Sequence, residues 1–156
     1  MGFEIAKKYL EEKGYGDRIM EFEVSSATVE LAAQAVGTEP EKIAKSLTFS
    51  VNGQPVMIVC AGDAKISNAK YKACFLTKAK MLTFDEVHEQ IGHDVGGVCP
   101  FGANETVKIY LDESLKRFET VYPACGSSNS AVRLKVSELD LVCPGASWID
   151  VCNIPE

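Results

Sequence analysis

Apolar residues recur at helical spacing at the start of the chain. Phe3, Ala6, Tyr9 and Leu10 share one face of a segment running from about Phe3 to Lys13, and Gly14 ends it. A short strand is expected from Ile19 to Val24. Ser25 or Ser26 can then cap a second helix over Thr28 to Val36, which stops at Gly37. Thr38-Glu39-Pro40-Glu41 restarts a helical turn with Pro40 at a tolerated early position. The clearest local signal follows. Two β-rich runs, KSLTFSV (45–51) and QPVMIVCA (54–61), flank Asn52-Gly53, the preferred pair for a tight hairpin turn. That spacing puts Lys45 at the mouth of a strand entering the core.

Further along, Ser67 to Leu76 reads as a helix, and Thr83-Phe84-Asp85-Glu86 is a capping box opening a helix that ends at Gly92. Periodicity then disappears. The stretch HDVGGVCPFGANE (93–105) holds three glycines and a proline in thirteen residues, too many for the interior of a strand or helix. Strand character resumes at Val107 to Leu111, a helical turn spans Glu113 to Arg117, and a strand follows from Glu119 to Pro123. Then come the loop ACGSSNS, a strand at Ala131 to Lys135, a turn capped by Ser137, and a last strand around Trp148 to Val151. Strands and helices interleave irregularly, without linker or repeat. The pattern predicts one α+β domain over residues 1–156, with a mixed or largely antiparallel β-sheet.

Composition adds boundaries. At 156 residues such a domain buries roughly two-thirds of its unfolded surface and needs no metal or disulfide for a core. No apolar run approaches the roughly 20 residues that cross a bilayer, and the N-terminus lacks a signal-peptide core. Myristoylation of a Met1-Gly2 start would want Ser or Thr at position 6, where Ala6 stands. A cytoplasmic protein without membrane contact is expected. The six cysteines show no CxxC spacing, and neither His88 nor His93 completes a zinc pattern. Reduced thiols and no metal or other cofactor are therefore expected.

A net charge of −6 counts against gripping long nucleic acid but allows a short contact. Lys65, Lys70, Lys72, Lys78 and Lys80 fall in a stretch with no acid between Asp63 and Asp85. Such a run is either a phosphate-facing patch or a solvated surface.

Familiar catalytic signatures are absent: no GxGxxG, P-loop, HExxH or GxSxG. Gly96-Gly97-Val98-Cys99-Pro100-Phe101-Gly102 is the strongest chemical candidate. Glycines let main chain approach a ligand and turn N–H groups inward, and Pro100 would stiffen such a cradle. The competing reading is a tight connection between helix and strand. Cys99 invites a nucleophile reading with His93 six residues before it, yet no orienting acid is specified.

Three segments carry a resemblance. Ala44-Lys45-Ser46-Leu47 opening a strand, GHDVGGVCPFG at 92–102 and VYPACGSSNSAVRL at 121–134 are similar, in order and separation, to the YbaK/prolyl-tRNA-synthetase-associated domain family. The resemblance covers nearly the whole chain. It implies a partly barrel-like sheet surrounded by helices, and hydrolysis of mischarged aminoacyl-tRNA by freestanding proteins or by domains inserted in prolyl-tRNA synthetase. The family lysine corresponds to Lys45 and the family GxxxP loop to Gly96–Pro100, with Gly96 and Gly97 expected to share the catalytic role. His93, Val98, Cys99, Pro100, Phe101 and Gly102 would surround the substrate. The late glycine segment falls on Ala124-Cys125-Gly126-Ser127, with Cys125 where many relatives carry Ala or Gly. Implied partners are the acceptor end of aminoacyl-tRNA and prolyl-tRNA synthetase, with the lysines at 65–80 touching acceptor-stem phosphates. A non-catalytic aminoacyl- or nucleotide-binding module and, more distantly, a cysteine-based redox or metal protein remain alternatives.

Overall fold

The computed structural model describes residues 2–155. Helix α1 (Gly2–Glu12) buries Ala6 and Leu10, as the helical spacing predicts. Strand β1 (Ile19–Glu21) stops before the expected Val24. Helix α2 (Val29–Val36) is capped by Thr28, whose hydroxyl accepts from the Leu31 N–H, and not by Ser25 or Ser26. Ser26 is turned elsewhere: its hydroxyl donates to the Ser130 carbonyl at 3.4 Å, and its N–H donates to the Ser128 carbonyl at 2.6 Å.

A single 3₁₀ turn, Pro40–Lys42, delivers the chain into strand β2 (Ile43–Val51). Asn52 (φ 51°) and Gly53 (φ 83°) both take the left-handed backbone that a tight hairpin requires, and strand β3 (Gln54–Ala61) returns. Because β2 begins at Ile43, Lys45 lies inside the strand opposite Cys60, not at its mouth.

A two-residue strand β4 (Lys65–Ile66) precedes α3 (Asn68–Phe75), capped by Ser67. The Thr83–Glu86 capping box forms with both of its hydrogen bonds and opens α4 (Phe84–Glu86), which widens into π-type turns over Val87–Ile91. Strand β5 (Lys108–Asp112), a 3₁₀ turn at Glu113–Arg117 and β6 (Thr120–Pro123) follow. The strand expected at Ala131–Lys135 is broken into β7 (Ser130–Val132) and β8 (Leu134–Lys135), because β7 pairs with β1 and β8 with β6. Ser137 caps nothing. The Lys135 N–H is instead met by the Glu138 carboxylate at 2.8 Å, and a short helix α5 (Leu139–Val142) follows. The last strand divides into β9 (Ser147–Ile149) and β10 (Cys152–Asn153).

The main sheet runs β8-β6-β2-β3-β5-β9 and curls into a half-barrel. It is mixed: β2–β3 and β6–β8 are antiparallel, while β2–β6, β3–β5 and β5–β9 are parallel. Strand β3 lies inside the sheet and is buried from Val56 to Ala61, which explains its unbroken apolar run. All six cysteines are free thiols, and Cys74 alone is exposed. No helix among the described residues is long and apolar enough to cross a membrane.

One buried charge ties the C-terminus to the sheet. Asp112 is 1% exposed, and its two carboxylate oxygens accept from the Ser114 and Val151 N–H groups, each at 2.9 Å. Asp112→Ala leaves both donors unpaired, so urea unfolding should show a loss of about 2–4 kcal/mol.

Candidate active site

Beside β2 lies a cavity of about 430 Å³. Val29, Ala32, Ile43 and Tyr122 line its inner wall and form a small apolar cluster apart from the main core. Met81, Phe84 and Val95 line it from exposed positions, so they form its rim. Lys45 is the single charged side chain among the described lining residues, which include no carboxylate, imidazole or thiol.

The ammonium of Lys45 is held by main chain. Nζ donates to the Ala64 carbonyl at 2.5 Å and to the Gly62 carbonyl at 3.3 Å, leaving one N–H for a ligand. The turn carrying those carbonyls is itself pinned. A Cβ on Gly62 would stand 2.1 Å from the Pro40 carbonyl oxygen, so only glycine allows this approach. Next to it, Asp63 makes a bidentate pair with Arg117, at 2.6 and 3.1 Å. The Arg117 hydrogen bond holds the Asp63 carboxyl below its usual range, with a smaller contribution from the charge of Lys45.

The edge of β2 beside the cavity is open. Strand β6 pairs with Ile43 and Ala44 only. The Lys80–Leu82 segment joins that edge farther on, where Leu82 N–H donates to the Thr48 carbonyl (3.1 Å) and Ser50 N–H to the Lys80 carbonyl (2.8 Å). By strand alternation the main-chain groups of Ser46 face the same edge, between these two neighbours, with no strand beside them.

The glycine-rich loop reaches the cavity through Gly96 and Val98. Gly97 does not present the main-chain donor expected of it, because its N–H is bonded to the Asp94 carbonyl at 3.0 Å. Its lack of a side chain serves packing: a Cβ there would lie 2.6 Å from the Ser127 nitrogen and 2.7 Å from the Gly126 carbonyl carbon. Cys99, Pro100 and Phe101 of the loop, and His93 before it, are buried and do not line the cavity. Gly102 and Gly126 pack on the first turns of α1, and Ser127 bonds to Ser130 at 2.6 Å. Cys125 is fully buried, its thiol pushed up to about 12 by that burial.

The Cys99–His93 pair is unsuited to nucleophilic catalysis. His93 Nε2 lies 2.7 Å from the Phe101 carbonyl oxygen, so that nitrogen carries its proton and donates. Cys99 Sγ, 3.6 Å away, therefore faces a donor and not a base, and burial pushes its thiol far above the ordinary range. His88 is exposed and engaged with Asp94.

The five lysines do not form one surface around the cavity. Lys70 bonds to Asp150 (3.1 Å) and to the Cys152 carbonyl (2.9 Å) and lines a separate depression with Asp112 and Glu113. Lys65, Lys72, Lys78 and Lys80 are exposed, and Lys80 directly precedes the rim residue Met81. Sequence reasoning missed the Gly62–Ala64 clamp, the Ser46 edge and the walls Val29, Tyr122 and Phe84. No motif marks them, since they meet only through long-range packing.

Residues 23–141 match the aminoacyl-tRNA editing domain family, and the chain belongs to it. It is 55% identical over 136 residues to the uncharacterised protein YwhH of Bacillus subtilis, covering 86% of this chain and 87% of that one. It is also 30% identical over 102 residues to the proline–tRNA ligase of a Geobacillus species; the match takes in 65% of this chain but 18% of the ligase. Among solved structures, a candidate trans-editing enzyme for prolyl-tRNA synthetase superposes with a TM-score of 0.87 at 31% identity, over 97% of both chains.

Two outcomes follow from this packing. Gly97→Ala drives a methyl into the Gly126–Ser127 main chain, and thermal or urea unfolding should report a loss of about 1–3 kcal/mol. His93 is kept neutral, chiefly by burial, with a folded-state pKa below 6.5. The unfolded chain binds the proton first, so this contribution to stability is present above pH 6.5 and is lost as pH falls toward the lower folded value. Urea midpoints of the wild type and a His93→Gln variant should therefore converge as pH is lowered below the ordinary imidazole value.

Proposed function

We propose that this chain is an aminoacyl-tRNA deacylase, a freestanding trans-editing factor that hydrolyses the ester of tRNA-Pro carrying a small non-cognate residue such as Ala or Cys. The observation that carries the reading is Lys45, the single charged side chain lining an otherwise apolar and hydroxyl-bearing cavity, in a member of the editing family. Ester hydrolysis develops negative charge on the carbonyl oxygen, and a fixed cation beside it lowers that barrier. Water adds to the carbonyl carbon, the ester C–O bond breaks, and the pair of electrons leaves on the ribose oxygen, which takes up a proton. With no carboxylate, imidazole or thiol on the described walls, proton transfer falls to water and to the neighbouring hydroxyl of the substrate ribose.

The inner cluster of Val29, Ala32, Ile43 and Tyr122 suits a small side chain. A synthetase pocket separates residues differing by one methylene by only about 1–3 kcal/mol, so a second, size-limited site adds the missing discrimination. The acceptor end of the tRNA is the partner this reading requires, and prolyl-tRNA synthetase is the source of the mischarged substrate.

Lys45→Ala should lower single-turnover deacylation of alanyl- or cysteinyl-tRNA-Pro by about a hundredfold or more while far-ultraviolet circular dichroism is retained. Near-normal turnover by the variant would remove Lys45 from the mechanism. A wild type that binds mischarged tRNA without deacylating it would make the chain a binding module.

A further inference from the structure

We propose that Phe84 is the platform on which the terminal nucleobase of the substrate stacks, with Met81 and Val95 completing an apolar rim; this rests on the deacylase reading above. Phe84 is 70% exposed, Met81 58% and Val95 55%, and all three line the mouth of the same cavity. Single exposed apolar residues are ordinary, but a cluster around a cavity mouth marks a surface that a ligand covers.

The ring is presented on rigid main chain. Thr83 Oγ1 accepts from the Glu86 N–H at 3.2 Å, and Glu86 Oε1 accepts from the Thr83 N–H at 2.9 Å. The preceding residues are fastened to β2 through Leu82 N–H to Thr48 and Ser50 N–H to Lys80. An exposed aromatic held this way is preorganised for stacking and loses little freedom when a base arrives.

The chemistry of the ester selects the occupant. Its carbonyl must sit by Lys45, and its amino-acid side chain suits the inner cluster of Val29, Ala32, Ile43 and Tyr122. The ribose lies on the other side of the ester bond, so the base it carries emerges at the mouth, where Phe84 stands. The charges beside the rim are mixed. Lys78 and Lys80 are exposed just before Met81, Asp85 is exposed after Phe84, Asp94 beside Val95 is engaged by His88, and the Glu86 carboxylate is occupied by its own helix cap. An apolar face next to free cations fits a base and its phosphate.

The test uses the whole protein and two non-hydrolysable probes: an alanyl amide of 3′-amino-3′-deoxyadenosine, and the same amide on a ribose lacking the base. The wild type should bind the adenosine compound about tenfold or more tighter than the abasic one. Phe84→Ala should bind both alike and raise KM for mischarged tRNA by a larger factor than it lowers kcat. Phe84→Trp should restore the preference, and its fluorescence should be quenched by the adenosine compound alone. A Phe84→Ala protein that keeps the preference for the base overturns the proposal, as does a wild type that shows none. Loss of prolyl-tRNA synthetase binding with base preference intact would assign the rim to a protein partner instead. Binding without turnover in the wild type would refute the deacylase reading and leave the stacking site standing, so the two failures are distinguishable.

Discussion

The register of the β2–β3 hairpin is the constraint on which the rest depends. Eight residue pairs, from Ala44–Ala61 to Val51–Gln54, are set by one tight turn at Asn52-Gly53. A slip of one residue would exchange the two faces of the strand and move Lys45 off the side where its carbonyl partners wait. Both outer edges of the hairpin are then used: β3 receives β5, and β2 receives β6 and the Lys80–Leu82 segment. The half-barrel and the cavity are consequences of how those neighbours fit.

Around this frame the Lys45 ammonium is positioned by main chain. Lys45 takes its place from the carbonyls of Gly62 and Ala64, and their turn is wedged against Pro40 and anchored through Asp63 to Arg117. The glycine loop contributes shape. Gly96 and Val98 form part of the wall, while Gly97 lets the loop lie directly on the Gly126–Ser127 main chain. Behind it, His93 and Cys99 are packing groups whose hydrogen bonds close on the Phe101 carbonyl.

What was legible in the sequence was local. The hairpin turn, the Thr83–Glu86 capping box and the helical face of α1 each involve residues within a few positions of one another, and each stands where its signal put it. The resemblance of three segments correctly identified the family and the mixed fold. Signals failed where a distant partner decided the outcome. The Ser26 hydroxyl reads as a cap but bonds to the distant Ser130 carbonyl, and the strand at 131–135 divides because two different strands pair with it. Gly97 read as a donor cradle, since nothing nearby in sequence announces that Asp94 and the 126–127 segment occupy its surroundings. Lys70 read as part of one patch, whereas Asp150 holds it elsewhere.

The gap beside Ser46 has a further meaning for the solubility of the molecule. An unpaired strand edge is a template on which another chain can add, and proteins with long exposed edges tend to aggregate through them. Here the interruption spans only Lys45 to Leu47, with β6 at one end and Lys80–Leu82 at the other. An incoming strand would collide with both before making more than a bond or two. The domain thus keeps its open stretch of sheet too short for a second copy to extend.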